Sequence, residues 1–106
     1  MIRHIVVFNL KPEVETEDRD WLFRQIESLA KIPSVRELTI GKRLEAREEW
    51  YRERPAPEYG WAFSMQFDDE DGLYVYQKNP DHERVAAEIR KRVSNIKIFD
   101  FVSPAP

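Results

Sequence analysis

The sequence predicts an α+β domain, a four-stranded antiparallel sheet with helices packed on one face, in the order β-α-β-β-α-β. Three observations carry that prediction. The segment "YGWAFSMQF" alternates large apolar and small or polar residues with strict period two. The segments "TEDRDWLFRQIESLAKI" and "NPDHERVAAEIRKRV" space their apolar residues as helices do. Runs of β-branched and aromatic residues, "IRHIVVFNL" and "IKIFDFV", lie near the two ends of the chain.

The first strand, residues 2–10, puts Ile2, His4, Val6, Phe8 and Leu10 on one face, and Lys11-Pro12 closes it. Ile5 and Val7 leave the other face partly apolar, as in a strand covered on both sides. In the first helix Thr16 is the expected N-cap, acids fill the first turn, and Leu22, Ile26, Leu29 and Ala30 form the stripe. Pro33 stops it. "SVRELTIGKRL" reads as a second strand with Gly41 as the expected bulge. "EAREEWYRERPAPE", around residues 45–57, reads as a long solvated loop.

The third strand faces Tyr59, Trp61, Phe63, Met65 and Phe67 one way; such an aromatic row is ordinarily a strand's core face. "DDEDGLYVYQKN" is a short helix with acids at its start. The next helix has Asn79 as N-cap and Pro80 at its first position. The last strand ends at "SPAP", a surface tail. This order is the split βαβ, or ferredoxin-like, pattern. Helices on one face leave the other uncovered, and apolar patches beyond about a few hundred Å² are rarely left to water. A homodimer in which two sheets meet as one α/β barrel is therefore expected.

At 106 residues the chain fits one domain spanning 1–106. The 17 basic and 20 acidic residues give a net charge of -3 without segregating into blocks, and no basic stripe invites nucleic acid. With no cysteine, disulfides, thiolate metal sites and cysteine nucleophiles are excluded. Two histidines far apart among scattered acids make no metal-ligand spacing. The apolar start is too short to span a bilayer and lacks a small-residue cleavage site, so a cytoplasmic protein with no membrane association is expected.

One residue interrupts this structural reading. His82 extends the apolar stripe of Val85, Ala86, Ile89 and Val93 at the third position of its helix. Burial and the positive end of the helix dipole both disfavour an imidazolium there, so a neutral ring able to accept a proton is expected. A hydrogen-bonded core histidine fits the same position. His4 shares its face with Val6 and Phe8, and converges with His82 if that face meets the helices.

The segments "RHIVVFNLK", "IPSVRELTIGK" and "WAFSMQFDDEDGLYVYQKNPDHERV", with the closing "IKIFDFV", resemble the stress-responsive α/β-barrel (Dabb) family over nearly the whole chain. The resemblance implies two ferredoxin-like sheets forming a dimeric barrel. It also implies a small-molecule pocket between sheet and helices, with a small aromatic or polyketide-like ligand and no cofactor. Members include a plant cyclase that closes a polyketide by an intramolecular aldol reaction. By position in the family, His82 and Tyr76 take the catalytic roles, and His4 and Phe63 line the pocket. Val6, Phe8 and Ile26 complete the expected substrate-binding set. Asn79 stands where the family's "HPxH" motif has its first histidine, keeping a cap but losing an imidazole. A non-catalytic ligand-binding dimer and a cofactor-free monooxygenase are alternative functions for such a barrel.

Overall fold

The computed structural model describes residues 1–55 and 58–104; residues 56 and 57 of the charged loop and 105 and 106 of the tail lie outside the described residues. Four strands, β1 (Ile2–Leu10), β2 (Arg36–Lys42), β3 (Trp61–Phe67) and β4 (Val93–Val102), form one antiparallel sheet in the order β2-β3-β1-β4. The helices are α1 (Thr16–Ser28), α2 (Glu49–Arg52), α3 (Glu70–Lys78) and α4 (Pro80–Arg92). This is the ferredoxin-like α+β fold. The molecule is a slab of 40 × 33 × 17 Å, a thickness that accommodates one sheet and one helical layer.

Burial follows the pleat of β1. Ile2, His4, Val6 and Phe8 are each 5% exposed or less, while Arg3, Ile5 and Val7 between them are half-buried. The buried face meets Leu22 and Ile26 of α1, Leu73 and Tyr76 of α3, and Val85 and Ile89 of α4 in one core. On β3, Phe63, Met65 and Phe67 join it, as the period-two pattern predicts. The opposite sheet face keeps Phe99 66% and Phe101 41% exposed.

Several local expectations are corrected. Glu15, not Thr16, is the N-cap of α1: its backbone is extended and its carbonyl already accepts the Arg19 N–H at 2.9 Å, so the helical ladder starts one residue earlier. Leu29 is buried, but it belongs to a 3₁₀ turn (Leu29–Lys31) in which Ala30 faces water. Gly41 pairs regularly with Ala62. The bulge lies earlier, where Arg36 pairs with Gln66 and Thr39 with Ser64, so β2 spends one extra residue. Glu37 absorbs it at φ 48°, a conformation that side chains other than glycine seldom take. The charged loop folds locally into the single turn of α2. Val93 leaves the helix and opens β4, whose backbone turns extended there. Among the described residues no helix is long and apolar enough to cross a membrane.

Candidate functional site

The site is built around the corner between α3 and α4. Pro80 lacks an N–H and cannot continue α3, so Asn79 ends one helix and caps the next. Its backbone N–H donates to the Tyr76 carbonyl at 3.1 Å, and its side-chain oxygen accepts the Asp81 N–H at 2.8 Å. The corner folds residues 76 and 82 onto each other. The Tyr76 and His82 rings meet with centroids 4.5 Å apart at 56°.

The same corner decides the tautomer of His82. The last carbonyls of α3 have no helical partner, and that of Gln77 lies 3.0 Å from His82 Nδ1. A carbonyl only accepts, so Nδ1 carries the hydrogen and Nε2 keeps the lone pair. The His82 pKa is lowered from the ordinary 6.5, first by removal of the ring from water and further by His4 and Arg90, against the opposing Gln77 carbonyl and Glu83. At neutral pH the ring is an uncharged proton acceptor.

Tyr76 is 2% exposed, packed between Phe67 (5.2 Å) and His4 (6.1 Å) on its ring faces and edges. Its burial pushes the phenol pKa well up, so the hydroxyl stays protonated and is a donor. His4, 4% exposed on the central strand, donates from Nδ1 to Asp100 Oδ1 at 2.5 Å. Asp100 stands directly opposite His4 in the β1–β4 register.

These rings border a cavity of about 330 Å³ between the sheet and the helices. Its polar groups are His4, Tyr76, Gln77, His82 and Arg90; Val6 and Phe63 of the sheet, Leu29 after α1, and Ile96 and Ile98 of β4 add apolar lining. Five sequence-predicted residues, His4, Val6, Phe63, Tyr76 and His82, thus share one cavity. Phe8 and Ile26 do not line it. Both are fully buried: Phe8 lies two residues beyond Val6 along β1, its ring 6.2 Å from Phe23 of α1, and Ile26 belongs to the same closed core. A wider hollow of about 510 Å³ lies on the opposite sheet face, bordered by Arg3, Ile5, Thr39, Gly41 and Phe101. It brings no acid–base pair together.

Asp100, Gln77 and Arg90 are the polar residues that sequence reasoning missed. An aspartate inside the apolar run "IKIFDFV" was a signal for the first; its partner lies 96 residues away, so no local pattern names it. Among the described residues no group of three or more His, Cys, Asp or Glu side chains converges as a metal site.

The Stress Responsive A/B Barrel Domain model matches residues 2–103. The chain belongs to that family. Solved structures similar to this chain include a dimeric ferredoxin-like protein of unknown function from Thermobifida fusca, 26% identical, covering 96% of this chain and 90% of that one at a TM-score of 0.78. A Dabb family protein with a ferredoxin-like fold from Mesorhizobium loti is 24% identical, with 98% and 97% coverage and a TM-score of 0.78. A hydroxynitrile lyase from Passiflora edulis shares the fold at a TM-score of 0.85, with 19% identity and coverage of 99% and 94%. No curated protein matches the chain.

Proposed function

We propose that this A/B barrel protein binds a small aromatic or polyketide-like carbonyl compound in the cavity and moves protons on it without a cofactor, as an aldol-type or cyclase-like enzyme, in a homodimer. The observation that carries the reading is the pairing, across 4.5 Å, of a neutral imidazole with a free Nε2 and a phenol held protonated by burial. His82 Nε2 takes a proton from the carbon next to the carbonyl. The electron pair moves onto the carbonyl oxygen, which the Tyr76 hydroxyl stabilises by donating a hydrogen bond. The enolate carbon then attacks a second carbonyl, and the imidazolium returns its proton to the new alkoxide. The His4–Asp100 pair fixes a second ring in the wall. The hydroxynitrile lyase that shares the fold is consistent with carbonyl chemistry in such a cavity.

Dimerisation is supported by the exposed Phe99 and Phe101 and by the neighbour from Thermobifida fusca, itself described as dimeric.

The test is deuterium exchange into the methyl group of acetophenone in D₂O, followed by proton NMR. The native protein is expected to accelerate exchange. His82→Gln should lower the rate by about 10²–10⁴-fold, the usual worth of a positioned base. Tyr76→Phe should lower it by about 10²–10³-fold, the worth of one oxyanion donor. Acetophenone that binds without exchanging would leave a ligand-binding protein and remove the enzyme.

A further inference from the structure

Three arginines of α4 face three different surroundings. Arg84 donates to Gln25 at 2.9 Å and lies 3.9 Å from Asp81. Arg92 is tied to Asp18 at 2.9 Å, and to Glu88. Arg90 makes no hydrogen bond or ion pair with any described residue, yet it borders the cavity. It follows His82 and Ala86 at intervals of four, and all three border the cavity along one row of the helix. Eight residues separate its Cα from that of His82, about 12 Å along the axis. Long helical side chains lean toward the N-terminus, the direction in which Ala86 and His82 lie along this row.

Within this proposed reading of the cavity, we infer that Arg90 is a specificity-determining residue that selects carbonyl compounds bearing a carboxylate, held at the opposite end from the carbon that His82 deprotonates. The cavity supplies one cation at its rim and no lysine. Asp100, the nearby acid, is engaged by His4. A planar carboxylate matches the guanidinium fork through two parallel N–H···O bonds, whereas a dianionic phosphate would call for a second cation. The volume of about 330 Å³ is at the small end for ligand sites, which suits a single ring with its two functional groups across from one another.

The pair 4-acetylbenzoate and 4-acetylbenzamide tests this. The two share a ring and an enolisable acetyl group and differ in charge at the far end. Binding is read from the shifts of the His82 imidazole resonances. The native protein should bind the acid about tenfold tighter than the amide, with only the acid weakened by added salt. Arg90→Gln should erase the preference by bringing the acid down to the affinity of the amide, with a folded protein by thermal melt; Arg90→Lys should retain part of it. Equal native affinities, or a preference that survives Arg90→Gln, would overturn the role of Arg90 and leave the cavity reading standing. If neither compound perturbs His82, both fall together.

Discussion

At the scale of single residues, the site is a matter of which nitrogen holds which proton. Gln77 fixes the hydrogen of His82 on Nδ1, so the base is Nε2, and burial lowers the pKa of the ring. The exchange rate should therefore rise with pH through an inflection below 6.5 and be flat at 7. Because Tyr76 is shifted upward, no alkaline decline is expected before about pH 10. A pH–rate profile checks both limbs, and an inflection at or above 6.5 would contradict the first. Stability carries the same sign. The unfolded chain takes up a proton on His82 near 6.5 and the folded protein only lower, so this residue's contribution is complete above 6.5 and is lost as pH falls toward its folded value. His82→Gln should remove that part of the acid sensitivity in thermal melts. The sequence revealed His82 because a titratable ring breaks an apolar stripe. It hid Arg90 inside the run "IRKRV", where basic residues ordinarily serve the helix C-terminus.

At the scale of elements, the corner between α3 and α4 was legible as a proline after an asparagine, but its consequence was not. Six residues across a helix break have no defined separation until Asn79 sets the angle, and only then do Tyr76 and His82 touch. Asn79→Ala should cost about 1 kcal/mol, the usual worth of a cap, in denaturant unfolding, and should also slow exchange because His82 sits in the turn that loosens. Asn79→Asp keeps the acceptor oxygen and should preserve stability. Strand periodicity told the face of Phe8 correctly, since it points with His4 and Val6. It could not tell position along the strand, and Phe8 lies beyond the cavity under α1. The bulge was misplaced for a related reason. Glycine is the residue that best tolerates a positive φ, yet Glu37 takes that conformation where its carboxylate meets the Arg3 guanidinium at 3.2 Å.

At the scale of the whole molecule, one sheet face is packed and the other is not. Phe99 and Phe101 of β4, with Ile5 and Val7 of β1, line the open face. Replacing both phenylalanines by glutamate should convert a dimer to a monomer in sedimentation equilibrium. Far-ultraviolet circular dichroism should be retained, since exposed side chains typically change fold stability by no more than about 0.5 kcal/mol. A native protein that sediments as a monomer would refute the barrel. The wall of the cavity has its own whole-chain consequence. His4 and Asp100 are 96 residues apart, and Ile96 and Ile98 come from the same late strand. The pocket therefore cannot exist in any partly folded chain lacking β4, however complete its helices. During refolding, affinity for a cavity ligand should appear only with the phase that closes this longest loop, so that ligand capture serves as a clock for the last step of folding.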